Sequence, residues 1–147
     1  DGLAFDLLRG YIKKFNVNCS FFILSTEVNS VVKKRAEKLG INCIFGVQNK
    51  LKYMEDFFNK TNIYQNTKKN DKFEGFVFLG NDLNDYPLML KAGVSVAPSD
   101  SHPAIIKIAD FVLDVKGGNG FVRLFLEKLI GIDHMNKEEL NEFISNC

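Results

Sequence analysis

Three short polar clusters in the 147-residue sequence each follow an apolar run. Ser25-Thr26-Glu27 ends the run Ser20–Ser25, Gly46-Val47-Gln48-Asn49-Lys50 follows Asn42–Phe45, and Gly80-Asn81-Asp82-Leu83-Asn84-Asp85 follows Gly75–Leu79. A hydroxyl and an ammonium can hold phosphoryl oxygens, and carboxylates bind Mg²⁺, a hard cation that prefers oxygen ligands. Together these types are what phosphoryl transfer to a carboxylate requires. If the apolar runs are parallel strands, the three clusters meet at one edge, beyond the strands' carboxyl ends, where open α/β sheets bind ligands.

Each cluster also has a plainer reading. Ser25 or Thr26 would cap a following helix by accepting its orphan amides. Lys50 alone would be a solvated lysine at a helix start. Asp82 and Asp85 around Asn84 would form a turn and an N-cap before Pro87, positions that Asp and Asn favour. The order hydroxyl, lysine, acidic loop, each at a strand end, favours the joint reading.

The elements that must position these residues follow from hydrophobic patterning. Five strands are predicted, at Ser20–Ser25, Asn42–Phe45, Gly75–Leu79, Val94–Ala97 and Phe111–Val115. The first and third are nearly continuously apolar, as strands covered on both faces are. Helices are predicted at Leu3–Phe15, Val28–Leu39, Lys50–Asn59, Pro87–Ala92, Pro103–Ile108, Phe121–Ile130 and Lys137–Ser145. In Val28–Leu39, Val31, Val32, Ala36 and Leu39 make an apolar stripe, Lys33, Lys34 and Lys38 a wet face, and Gly40 a stop. Asn59–Lys72 reads as a polar surface connection with a mobile tip. This alternation predicts an α/β fold around a mostly parallel sheet.

Nineteen Lys and Arg against eighteen Asp and Glu leave a net charge of +1, no footprint for nucleic acid or an anionic membrane. No apolar run reaches the ~18 residues of a membrane helix. Cys19, Cys43 and Cys147 are odd in number and lack CxxC spacing, which argues against a disulfide framework or zinc site and fits a reducing cytoplasm. The 14 Phe and absent Trp make Phe the main large core residue.

The motifs resemble those of the haloacid dehalogenase (HAD) superfamily. The branch is that of the capless 3-deoxy-manno-octulosonate 8-phosphate and N-acylneuraminate 9-phosphate phosphatases. Asp1-Gly2-Leu3 is similar to the segment before the family's first helix, ILSTEVNSVVKKRAEKLGI (Ile23–Ile41) to its second-motif strand and helix, and GVQNK (Gly46–Lys50) to its lysine motif. FLGNDLNDYPLMLKAGVSVAPSDSHPAI (Phe78–Ile105) resembles the acidic loop with the next strand, and GGNGFVR (Gly117–Arg123) the glycine-rich C-terminal segment. The nearest likeness is to the HAD domain that follows the catalytic domain in some CMP-sialic acid synthetases (N-acylneuraminate cytidylyltransferases).

The resemblance implies a three-layer Rossmann-like fold without a cap, one HAD-like domain over residues 1–147, and a cytoplasmic, homo-oligomeric (tetrameric) protein. It implies that Ser25 and Thr26 contact a phosphorylated sugar acid and that Lys50 neutralises the transferring group. Asp85 would act with these in catalysis, and Asn81, Asp82 and Asp85 would complete a Mg²⁺ site. Gly118 and Arg123 would serve a neighbouring subunit's site mouth. Taken without the family, GGNG reads as a turn that needs φ > 0.

Departures sharpen these expectations. The family's nucleophile and acid/base are aspartates of a DxD motif upstream of the DG segment, and no Asp-x-Asp occurs in the 147 residues. The sequence is therefore expected to lack the first strand and hairpin and to have no turnover alone. Asn81 stands where the family has a metal-binding Asp, which weakens Mg²⁺ binding or abolishes it unless Asp82 substitutes. Thr26-Glu27 replaces a Gly-Arg, and Leu124 a Glu. Two functions remain open: a Mg²⁺-dependent sugar-acid phosphatase complete only with its nucleophile strand, or a silent HAD domain that holds a CMP-sialic acid synthetase oligomer together. A two-component receiver domain is excluded by order, because its acidic residues precede its hydroxyl and lysine.

Overall fold

Helices form along apolar stripes, four of those among the described residues opened by a capping side chain, and strands where an apolar run finds a hydrogen-bonding neighbour. A computed structural model describes residues 2–63 and 71–147. Along the chain run α1 (Gly2–Phe15), β1 (Ile23–Leu24), α2 (Ser30–Leu39), β2 (Cys43–Ile44), α3 (Lys50–Thr61) and β3 (Phe73–Leu79). A 3-10 turn (Leu83–Asp85), α4 (Tyr86–Lys91), β4 (Ala92–Pro98), α5 (Pro103–Ile108) and β5 (Phe111–Leu113) follow. The chain then forms α6 (Phe121–Ile130), a second 3-10 turn (Ile132–His134) and α7 (Lys137–Ser145).

The fold is α/β, with parallel strand pairs and no cap domain among the described residues. β3, β4 and β5 lie side by side in that order, all parallel. β1 pairs with β2 as a separate set, through Ile23 N donating to Asn42 O and Ser25 N donating to Ile44 O. β1 is shorter than the predicted Ser20–Ser25, since a run's apolarity reports burial but not whether a neighbour supplies hydrogen bonds. β3 is longer than predicted and begins at Phe73, opposite Ala92, across a register irregularity that contains Gly75 at φ +81°. A glycine inside a strand marks such a bulge rather than a strand start.

Contacts gather into two units. The first comprises α1 with the chain up to Ile23, Asn29–Cys43 and Gly120–Cys147. Here α1 packs on α6 and α7, burying Ala4, Leu7 and Leu8 with Leu126, Ile130 and Phe143. α2 starts two residues later than predicted, because Asn29 accepts the Val31 amide as N-cap. Val31 is exposed, so the inward stripe of α2 is a buried Ala36 flanked by half-buried Val32 and Leu39. Gly40 ends α2 at φ +65°, its N–H donating to the Ala36 and Glu37 carbonyls.

The second unit comprises Leu24–Val28 and Ile44–Asn119. Its core joins α3 and α4 to β3 and β4 through Met54, Phe58, Phe73, Phe78, Leu88 and Met89. The Phe58 ring centroid lies 4.8 Å from that of Phe73 and 5.4 Å from that of Phe76. Gly93 lets β4 approach β3, since a Cβ there would lie 2.5 Å from Phe73 O. Helix α3 runs to Thr61, so the expected connection Asn59–Lys72 begins inside a helix, and residues 64–70 of it lie outside those described. The three cysteines are free thiols, and burial pushes the Cys43 thiol above its usual pKa.

Candidate active site

The second unit carries the loops that follow β1, β2 and β3. Ser25 and Thr26 leave β1 half-buried, and the loop is tied to the one after β2 by backbone bonds. Val47 N donates to Ser25 O at 3.0 Å, and Gly46 N donates to Glu27 O at 3.1 Å. Neither hydroxyl caps α2, because Asn29 does so. Instead Ser25 Oγ accepts the Glu27 amide at 3.1 Å, an acceptor role that leaves its own proton to donate elsewhere.

Lys50 opens α3, but Asn49 is the cap, accepting the Lys52 amide. Its side chain is buried rather than solvated, with 9% relative exposure. The ammonium donates to Asp85 Oδ1 at 2.5 Å and lies 5.9 Å from the Phe78 ring centroid. A lysine taken from water to this position is held by the opposite charge it meets.

Asp85 organises the acidic loop. Its Oδ2 accepts the Asn81 and Asp82 amides at 2.9 and 3.2 Å, while Asp82 Oδ1 accepts the Leu83 amide at 2.7 Å. These bonds make a capping box around the 3-10 turn, so the turn-and-cap reading of Asp82 has its physical basis in the structure. The loop also leans on α5, where His102 N donates to Asn81 O at 3.0 Å. Gly80 is required for this closure, because a Cβ there would lie 2.8 Å from Asp85 Cβ and 2.9 Å from Met89 Sδ.

Asn84 is the residue that sequence reasoning under-read. Its Nδ2 donates to Thr26 Oγ1 at 3.4 Å, which joins the loop after β3 to the loop after β1. Nothing in the sequence pairs positions 58 residues apart, and Asn in a turn already has a sufficient explanation.

Gly118 lies in the second unit, in the turn after β5, at φ +82°, with Gly120 at φ +83°. The turn reading of GGNG therefore has its physical reason in the structure. The turn is fastened where Gly117 N donates to Asp100 Oδ1 at 2.8 Å. Arg123 belongs to the first unit, on α6, where its Nε donates to Glu127 Oε1 at 2.9 Å.

Magnesium is held by one or two carboxylates and keeps several waters, so what matters is how many charged oxygens the three expected residues leave free. Both Asp85 carboxylate oxygens are engaged by Lys50 and two amides, one Asp82 oxygen serves the turn, and Asn81 brings only a neutral amide. Among the described residues no group of three or more acidic, His or Cys side chains is placed to hold a metal ion. These residues do not by themselves form a magnesium site.

The strand-end order of hydroxyl, buried lysine and acidic loop can be set against known proteins. A family model described as haloacid dehalogenase-like hydrolase matches residues 8–125. The chain belongs to the haloacid dehalogenase-like hydrolases. Within this family it is 35% identical over 134 residues to the 3-deoxy-D-manno-octulosonate 8-phosphate phosphatase of Escherichia coli, covering 86% of this chain and 65% of that protein. The chain thus spans just under two thirds of the length of the curated relatives it matches.

The solved phosphatase of the same name from Yersinia pestis superposes with a TM-score of 0.66 at 26% identity, covering 90% of this chain and 65% of that one. The same-named enzyme from Moraxella catarrhalis, solved with magnesium, phosphate and KDO, superposes with a TM-score of 0.68 at 24% identity, over 98% of this chain and 73% of that one. At that identity the second likeness speaks for the hydrolase fold alone. Among the described residues no helix is long and apolar enough to cross a membrane.

Proposed function

We propose that this chain supplies the hydroxyl, lysine and acidic-loop parts of a phosphomonoester hydrolase that acts on an eight- or nine-carbon sugar-acid phosphate. The observation that carries the reading is the Lys50–Asp85 pair, buried where α3 meets the loop after β3, with Asn84 beside it bonded to Thr26 of the loop after β1. A buried lysine fixed by a carboxylate is costly to keep as scaffold alone. It suits a site where the charge of a phosphoryl group must be met without reorganisation.

In the reaction Ser25 Oγ–H donates to a phosphoryl oxygen, and Lys50 offers the N–H bonds that Asp85 leaves over. Asp85 orients the lysine and holds the loop. The attacking carboxylate is the part these residues do not contain, and a covalent participant cannot be replaced by better positioning. On this reading the 147 residues are one HAD-like domain that needs a DxD strand to turn over, and magnesium needs carboxylates beyond those described. A cytoplasmic homo-oligomer, tetrameric as in the branch it resembles, would use Gly118 and Arg123 at a neighbouring site.

The assay is phosphate release from 3-deoxy-manno-octulosonate 8-phosphate and N-acylneuraminate 9-phosphate, with inorganic phosphate binding followed by NMR. The expected result is no turnover by the 147 residues, with phosphate binding that weakens about tenfold or more in Lys50→Met. Mg²⁺-dependent release that disappears in Lys50→Ala would overturn the first expectation, and binding indifferent to Lys50 would overturn the site.

A second reading has its own support in neutral Asn81 and in the fully engaged carboxylate of Asp85. It is a silent HAD domain that holds a CMP-sialic acid synthetase together. It predicts stable self-association by light scattering and no phosphate binding.

A further inference from the structure

Three loops of the second unit are joined pairwise. The loop after β1 is bonded to the loop after β2 through Ser25, Glu27, Gly46 and Val47. The β2 loop leads into α3, whose Lys50 grips Asp85 of the loop after β3. Asn84, beside Asp85, returns to Thr26, beside Ser25. Without that last bond the three loops form an open chain, and Ser25 is held from the β2 side only. With it they form a closed ring.

We propose that Thr26 and Asn84 form a clasp that closes this ring and fixes the Ser25 hydroxyl in register with the Lys50 ammonium. They are positioning residues, since they act through Ser25 and the Lys50–Asp85 pair, and the role rests on the phosphatase reading given above. The acceptor sits one residue from Ser25, which would touch phosphate, and the donor one residue from Asp85, which holds the Lys50 ammonium that would, so a shift in the clasp moves both of those groups. Its length of 3.4 Å and its exposure make it the weakest link of the ring and the one whose loss leaves the fold intact.

The test uses the 147-residue chain with Thr26→Val, Asn84→Ala, the double variant and Thr26→Ser. Two readouts are followed by NMR: the exchange rate of the Glu27 amide, which donates to Ser25 Oγ, and the affinity for inorganic phosphate. The expected result is faster Glu27 exchange and weaker phosphate binding, each by about two- to tenfold, in both single variants. The double variant should be no worse than either single, because one interaction is being removed twice. Thr26→Ser, which keeps the hydroxyl, should behave as the parent.

Unchanged Glu27 exchange, or effects that multiply in the double variant, would overturn the clasp. Coupled exchange effects in a chain that does not bind phosphate would support the clasp as built and overturn the phosphatase reading instead.

Discussion

The Lys50–Asp85 pair sets what single residues can do here. Both side chains are almost wholly withdrawn from water, 9% and 5% exposed, so each is the other's compensation for lost hydration. Removing one partner leaves an unpaired buried charge, at a cost of about 3–5 kcal/mol, whereas removing both leaves none. Lys50→Met and Asp85→Leu are therefore each expected to lower unfolding free energy by about that amount, and the double variant by clearly less than their sum. Urea denaturation of the four proteins measures this, and additive losses would show that the pair is not coupled. The residue types at this site were legible in the sequence, but their partners were not. Ser25, Lys50 and Asp85 could be named from strand-end position, while the choice between helix cap and phosphate donor depended on Asn29, four residues beyond Ser25, taking the cap. Gly80 was visible only as part of a loop. Its need for a bare Cα comes from Asp85 and Met89, which fold back on it.

At the scale of elements, helices were read more closely than strands because a helix carries its own signals. Asn136 and Glu139 form a capping box at α7, Pro103 opens α5 and Gly131 ends α6 at φ +82°, all local in sequence. β1 and β3 were misread at their ends because a strand's length is set by a neighbour distant in sequence. The same distinction predicts how α7 responds to substitution. Its cap is local, so Asn136→Ala should cost about 1 kcal/mol. Phe143, 1% exposed in the core with Leu7, Leu8 and Leu126, is tertiary, so Phe143→Ala should cost about 3–5 kcal/mol. Amide exchange in the first unit separates the two. The cap variant should loosen the first turn of α7 alone, and the core variant should also loosen α1 and α6. A Phe143→Ala effect confined to α7 would mean that the helix does not share their core.

For the molecule as a whole, a ligand raises stability only as far as it binds the folded state better than the unfolded one. A cation at 100 times its dissociation constant adds about 2.7 kcal/mol, several degrees in melting temperature for a chain of this size. The described residues offer Mg²⁺ a neutral Asn81, an Asp85 whose carboxylate already answers to an ammonium and two amides, and an Asp82 that caps a turn. To take up the cation, Asp85 would have to release bonds that keep Lys50 and the loop in place, and the gain from coordination would be spent on that loss. The expected outcome is that 10-millimolar-scale MgCl₂ moves the melting temperature of the 147-residue chain no more than CaCl₂ or NaCl at matched ionic strength, since what remains is screening of exposed charges. A rise specific to Mg²⁺ that disappears in Asp82→Asn would contradict this and show that the loop rearranges to hold the metal. If the parent shows no such rise but Asn81→Asp acquires one, the missing negative charge at position 81, rather than the engagement of Asp85, is what keeps the cation out.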